Sequence, residues 1–334
     1  MTQFERNNIN ITKELLEISE EINVKYFPNK QWGLATKKLA EAGRELNYEI
    51  EAMPKFINFD KCTNCGMCVN GCIKDGKWDA TYFIKEAKEN NAEIITNFTV
   101  NKILKENGKV KGVEGINENG DIEVFYSDIV VLSAGALNTP LILRNSGIDN
   151  AGEEIFLDIF TTIGGYLPNS NLKNELLMGI KVEFGPYFLS PHYSTQLLPL
   201  IKEKGYNVSD KDIIGLMLKF ADENTGKIND DGSISKTLTV KDLEIIKEGY
   251  KKAWDLLVKI GVDSDSIVAT GLKGAHPGGT APLGKIVDED FQTSIEGLFV
   301  CDASVIPEAP GRPPILTILG ISRKVSNFIS GILG

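Results

Sequence analysis

The chain has 334 residues, 42% of them hydrophobic and 25% charged, which suits about two globular domains of roughly 150 residues and excludes wholesale disorder. Lys and Arg number 36 against 46 Asp and Glu, a net charge of −10 with no strongly basic segment, so nucleic acid is not an expected partner. No apolar run approaches the roughly 18 residues of a membrane span, and the opening MTQFERNNINITK has no apolar signal core, so a cytoplasmic protein is expected.

The first fifty residues read as helical. Ile11, Leu15, Ile18 and Ile22 share one helix face, and Trp32, Ala35, Leu39, Ala42 and Leu46 mark a second. Next comes Cys62-x2-Cys65-x2-Cys68-x3-Cys72, the spacing of a bacterial ferredoxin run. Thiolates so spaced can wrap one 4Fe-4S cubane, with Cys62, Cys65 and Cys68 joined by Cys72 or by the remote Cys301. A zinc ion held by all four, or four unligated structural thiols, are the alternatives. A disulfide framework does not suit a large cytosolic chain.

A helix is expected at roughly 79–90. From Ala92 the pattern turns to strands: 92–106, then KVKGVEGI and IEVFY, separated by ENGK and ENGD turns, an antiparallel meander. Ile129–Leu132 predict a short strand buried on both faces, and a helix resumes after Thr139 with Pro140 at its first position. Residues 151–238 are mixed. Thr239 and Asp242 form a capping-box pattern ahead of an apolar face of Leu243, Ile246, Tyr250, Ala253, Leu257 and Ile260, with Gly261 closing the helix. A last helix buries Ile318, Ile321, Val325, Phe328 and Ile332. Glycine, 32 residues, exceeds the usual roughly 7% and suits tight turns and close backbone approach to a ligand.

Three stretches, GALNTPLILRNSGI, GAHPGGTAPLGKIVD and GLFVCDASVIPEAPGRPPILTILGISRK, resemble in order and spacing the signatures of the glucose–methanol–choline (GMC) flavin oxidoreductases. The cysteine run followed by KDGKWDATYFIKEA is similar to the long-chain alcohol oxidase-like branch. The resemblance covers most of 60–150 and 265–334. It implies an α/β (α+β) fold, with an incomplete FAD-binding Rossmann-like domain that carries the meander and a mixed sheet/helix substrate cap. The segments would be a helical 1–60, the cysteine cluster and part of the FAD-binding domain in 61–150, the cap in 151–268, and the rest of the FAD-binding domain in 269–334. The strand–GxGxxG–helix that would cradle the FAD pyrophosphate is not in this sequence, so a second polypeptide is expected to supply it.

By the same resemblance, His276 is the base that takes the proton from a substrate alcohol while hydride passes to the flavin. The second active-site position falls on Pro313, which has no polar side chain, so Arg312 or a cap residue would substitute, or His276 acts alone. His192 matches no motif and is expected on the surface or in the core. Asp302 and Ala303, Gly135, Ala136 and Thr139, and less directly Val100, correspond to flavin contacts. Pro314 would start a helix whose positive end faces the flavin. A cluster at the cysteines would pass electrons singly to an acceptor, making a dehydrogenase. The alternatives are a non-catalytic electron-transfer or binding subunit, and a truncated fragment that leaves apolar surface exposed.

Overall fold

The computed structural model describes residues 9–334, so most of the signal-free opening expected from the sequence lies outside the described residues. Helix α1 (Thr12–Glu21) buries Ile18 and is flanked by buried Ile11 and Ile22. Helix α2 (Leu34–Glu45) buries Ala35, Leu39 and Ala42, with Trp32 just ahead of it. Strand β1 (Ile50–Ala52), the cysteine loop and helix α3 (Thr81–Glu89) follow.

The meander is β2 (Thr99–Glu106), β3 (Lys109–Ile116) and β4 (Ile122–Tyr126), an antiparallel three-stranded sheet. Its first strand starts at Thr99 and not at Ala92. Thr99 already faces Ile116, the last residue of β3, so the β-branched residues before it have no ladder partner. Strand β5 (Val130–Leu132) is not buried on both faces, because Val131 is 44% exposed.

Helix α4 (Gly135–Asn145) begins five residues before Pro140, which sits inside it. A proline there removes the N–H that would bond the carbonyl of Ala136. The buried Thr280 hydroxyl donates to that carbonyl at 2.8 Å and fills the gap. The carbonyl thus has a donor in place of the missing N–H, and the helix runs through the proline.

The remaining elements are β6 (Ile159–Tyr166), β7 (Ile180–Glu183), β8 (Tyr187–Pro191), α5 (Leu197–Glu203), β9 (Ile213–Phe220), α6 (Val240–Lys259), β10 (Val268–Ala269), β11 (Lys273–Gly274), β12 (Leu298–Val300) and α7 (Ile315–Leu333). An antiparallel seven-stranded sheet runs β10-β6-β9-β8-β7-β1, with β11 also on β6. Successive strand residues alternate faces. Ile159, Ile163, Leu189, Leu216, Leu218 and Phe220 pack against α2 and α6 on one face. Phe160, Thr162, Ser190, Met217 and Lys219 therefore share the other face, which builds the site.

Helix α6 has the expected caps. Asp242 N–H donates to the Thr239 hydroxyl at 3.1 Å and Thr239 N–H to the Asp242 carboxylate at 2.9 Å. Gly261 (φ +93°) closes the other end, with Val262 N–H on the Leu257 carbonyl at 3.0 Å. Ala253 and Leu257 are buried as expected, but the rest of the face is rotated: Leu243 is 53% exposed, while Ile245, Gly249 and Leu256 are buried. Gly249 decides this, since a Cβ there would fall 2.4 Å from Leu218 Cδ1. Helix α7 packs on α1, where Gly320 lets Leu15 approach, and it buries Ile321 and Val325 in the core. Ile332 in its last turn is 56% exposed, against expectation.

Strands β5 and β12 form a two-stranded parallel sheet, Val130 facing Leu298 and Leu132 facing Val300. Only β12 is fully buried. The whole is an α+β fold with several sheets. Among the described residues no helix is long and apolar enough to cross a membrane.

Candidate active site

A cavity of about 580 Å³ opens on the polar-bearing face of the seven-stranded sheet. Phe160, Met217, Lys219 and His192 line it from the sheet, His276 from the loop after β11, and Pro313, Ile315 and Leu316 from the start of α7.

His276 is fixed first by its backbone. The N–H groups of Ala275 and His276 both donate to the Leu157 carbonyl, at 3.0 and 3.1 Å. Its imidazole Nδ1 lies 2.7 Å from Asp158 Oδ2. Asp158 is fully buried, and Lys219, 1% exposed, places Nζ 2.7 Å from the same carboxylate oxygen and 2.7 Å from the Asp158 carbonyl. Burial pushes the Lys219 ammonium below its usual range, opposed by the charges of Asp158 and Asp222. A carboxylate facing an ammonium can only accept, so His276 Nδ1 carries a hydrogen and, in the neutral ring, the lone pair lies on Nε2.

The loop that aims Asp158 is itself held. Asp158 has φ +54°, a left-handed conformation that Asp tolerates better than most residues. The Asp222 carboxylate accepts from the N–H groups of Leu157 at 3.0 Å, Asp158 at 2.6 Å and Ile159 at 3.3 Å, and pairs with Lys236 at 2.6 Å. Sequence reasoning missed Asp158, Lys219 and Asp222. The available signal was the lone lysine in the apolar strand IIGLMLKF.

His192 lines the same cavity, not the surface or the sealed core. Its Nδ1 is 2.9 Å from the Thr162 hydroxyl, and its ring stands edge-on to Phe160 at 6.1 Å between centroids. Burial, then the charge of Lys273, pushes its pKa down to about 4, so it is neutral at physiological pH. A histidine depressed below its unfolded value of about 6.5 stabilises the fold above that pH and loses the contribution as pH falls toward 4. We expect the urea midpoint to drop on acidification across that window, and the slope to be smaller in His192→Gln. An equal slope in the variant would remove His192 as its source.

Arg312 also reaches the cavity wall, but its guanidinium pairs with Glu183 and lies over the Phe188 ring at 5.2 Å. That is a packed cation and no replacement base.

Most of the expected flavin contacts meet at the ends of β5 and β12. Asp302 Oδ2 accepts from Gly135 N–H at 2.9 Å and from the Thr139 hydroxyl at 2.6 Å, while Oδ1 accepts from Ser304 N–H at 2.7 Å. The carbonyl of Ala303 receives Gly279 N–H at 3.3 Å, which joins this group to the His276 loop, as the Thr280 bond to Ala136 does. Pro314 caps α7 beside the cavity-lining Pro313 and Ile315. Val100 stands apart: its neighbour Asn101 is bonded by Asn145 at the far end of α4, about 15 Å along the helix from Gly135 at 1.5 Å per residue.

These residues fit one wall of a flavin site. Gly135 has φ +80°, and a Cβ there would meet nothing within 4 Å, so open space fronts the backbone where two parallel strands end. The first turn of α7 presents N–H groups that a helix leaves without internal partners. Asp302, however, already spends both oxygens within the chain.

Cys62, Cys65, Cys68 and Cys72 line one small pocket of about 120 Å³, with Lys61, Lys74 and Lys77 around it. Cys72 Sγ accepts the Gly76 N–H at 3.2 Å, and backbone donors, Gly76 foremost, pull its thiol pKa down. Burial and the neighbouring Cys62 and Cys65 push Cys68 up. Lys55, whose pKa burial lowers to about 8, borders both this pocket's Cys68 and the active-site cavity. Among the described residues no three or more Cys, His, Asp or Glu are drawn together to hold one metal ion. Cys301 is remote, buried behind β12 with Sγ against the Ser322 hydroxyl.

Family models described as GMC oxidoreductase match residues 5–168 and 234–322. The uncharacterized protein MJ1450 of Methanocaldococcus jannaschii is 37% identical over 95% of this chain and 79% of its own length. Long-chain-alcohol oxidase FAO4B of Arabidopsis thaliana is 24% identical over 89% of this chain and 50% of its own. The chain thus spans about half the length of that plant relative. Pyridoxine 4-oxidase from Mesorbium loti superimposes with a TM-score of 0.69 at 14% identity, over 91% of this chain and 71% of that one. A formate oxidase gives 0.69 at 14% identity over 92% and 71%.

Proposed function

The chain belongs to the GMC oxidoreductase family, and from that membership and the geometry around His276 we propose that it carries the substrate cavity and the catalytic base of a flavin-dependent enzyme that oxidises a CH–OH group. The observation that carries this reading is the Lys219–Asp158–His276 chain ending in a cavity. His276 Nε2 accepts the hydroxyl proton. Asp158 orients the ring and offsets the charge it gains, and the buried Lys219 ammonium fixes the same carboxylate oxygen. Phe160 and Met217 give the substrate an apolar wall. Gly135, Ala136, Thr139, Asp302, Ala303 and Pro314 would hold the flavin. Bound FAD would supply the acceptor for the hydride leaving carbon.

The flavin needs a further wall, a strand–glycine loop–helix segment on a second polypeptide or elsewhere in a longer one. Support comes from the exposed Val131 of β5 and Leu137 of α4, since a parallel sheet is ordinarily covered on both faces. The cysteines support a 4Fe-4S cluster over zinc. The run Cys62-x2-Cys65-x2-Cys68-x3-Cys72 has the spacing of a ferredoxin cluster loop. The backbone donor on Cys72 and the ring of lysines suit a negatively charged cluster. With one, the enzyme is a dehydrogenase serving a one-electron acceptor. Five cysteines outside any disulfide support a reducing, cytoplasmic setting.

One preparation tests these readings. The full chain is purified anaerobically, alone and with the product of any adjacent reading frame, and assayed for flavin, iron and acid-labile sulfide. We expect iron with sulfide in both samples and flavin, reducible by an alcohol, in the second. Zinc alone overturns the cluster, stoichiometric peroxide in turnover overturns the dehydrogenase reading, and flavin that no alcohol reduces overturns the oxidation.

A further inference from the structure

The polar side chains on the cavity wall are mostly spent. Lys181 is tied to Glu51 at 2.9 Å and Glu183 at 2.8 Å, Arg312 to Glu183, and Lys219 to Asp158. The two histidines differ: each has Nδ1 occupied, by Asp158 or by Thr162, and each has Nε2 left for the cavity.

Their anchors set the spacing. Asp158 lies just before β6 with φ +54° and Thr162 four residues on within it, so their backbones are at most about 13 Å apart at roughly 3.3 Å per residue. Phe160 projects between them on the same face, and Met217 sits opposite Thr162 on β9. Gly215 makes the second arm feasible. The His192 N–H donates to its carbonyl at 2.9 Å, and a Cβ on Gly215 would fall 2.6 Å from the His192 carbonyl and 3.1 Å from Thr162 Cγ2. The absent side chain lets His192 lean across β9 to Thr162. With Phe160 between their anchors, the two imidazoles are placed to meet two oxygens of one molecule.

We propose that His192 is a specificity residue that hydrogen-bonds a second, uncharged oxygen group of the substrate, a hydroxyl or carbonyl several carbons from the hydroxyl that His276 attacks. This rests on the reading of His276 as the base. The substrate class is then a bifunctional alcohol lying across Phe160 and not a simple long-chain alcohol. A neutral imidazole suits an uncharged partner, since a carboxylate would require a cation there. The cavity's size suits a small polyfunctional molecule.

The chain has only two histidines, so their imidazole nitrogen signals separate by variant. The probes are 1,6-hexanediol and 1-hexanol, added to the flavin-loaded preparation in which this chain carries the 15N-histidine label. We expect the diol to shift Nε2 of both rings with one half-saturation point. In turnover, the diol should exceed 1-hexanol in kcat/KM by at least about tenfold, the worth of one hydrogen bond to a site built for it. His192→Phe should bring that ratio close to one, and His192→Gln should restore part of it. If the diol moves only His276, or His192→Phe keeps the preference, His192 is not the second contact, while the base reading stands. If the diol moves neither ring, the placement of the alcohol in this cavity fails with it. Thermal midpoints of both variants check folding, and should His192→Phe not fold, the wild-type titration and His192→Gln decide alone.

Discussion

Asp158→Asn should lower kcat/KM by about 10²–10⁴-fold, the range that a positioned acid–base group contributes. Asn is the informative replacement because it keeps the shape and, like Asp, tolerates the positive φ at this position. Lys219 decides how the new amide turns. Its ammonium and the His276 Nδ1 hydrogen share one oxygen, Oδ2, so the amide oxygen keeps that place and the NH2 takes the Oδ1 position, which is buried without a hydrogen-bond partner. The ring then keeps its tautomer but loses the negative charge that offsets the imidazolium formed when Nε2 takes the hydroxyl proton. The nitrogen shifts of His276 should report the same tautomer in the resting variant as in the wild type. Flavin content should stay at the wild-type level. Full activity would remove the Asp158 charge from the proton transfer.

Lys219→Met should destabilise the chain by about 3–5 kcal/mol, because it leaves a buried carboxylate without its cation. The chain bearing Lys219→Met together with Asp158→Asn should be more stable than Lys219→Met alone by about 1–3 kcal/mol, since the uncompensated charge is gone. Denaturant unfolding of the four members of this cycle measures the coupling. Strict additivity would mean that the pair does not interact as its geometry requires. Stability and activity part company here: the double variant regains folding free energy but not catalysis.

The sequence makes the local elements legible and hides the long-range ones. Thr239, Asp242 and Gly261 bound α6 because capping is settled within one turn. His276 and the Gly135 and Asp302 segments stand out because they fall in short stretches that resemble a family. Asp158, Lys219 and His192 sit in residues 151–238, where no motif helps. There the sheet is buried on both faces, by helices on one and by the cavity wall on the other. Alternation that would betray a half-exposed strand is blurred in IIGLMLKF, where only Lys219 breaks the apolar run. The α6 face was offset because Gly249 reads as neither apolar nor polar, although it marks the closest approach to Leu218. Pro140 reads as a helix start in the sequence because its remedy, Thr280, lies 140 residues further along the chain.

That remedy has a mechanical consequence. The hydroxyl of Thr280 closes the hole in α4 from within the loop that carries His276, and Gly279 adds a bond to Ala303. The helix proposed to face the cofactor, the turn after β12 and the loop bearing the base are thereby riveted at one point. A shift of the helix drags the imidazole with it. The distance over which a hydrogen would travel from substrate to cofactor is thus held by the frame of the protein, and Pro140, which looks like a defect in a helix, is what makes the rivet fit.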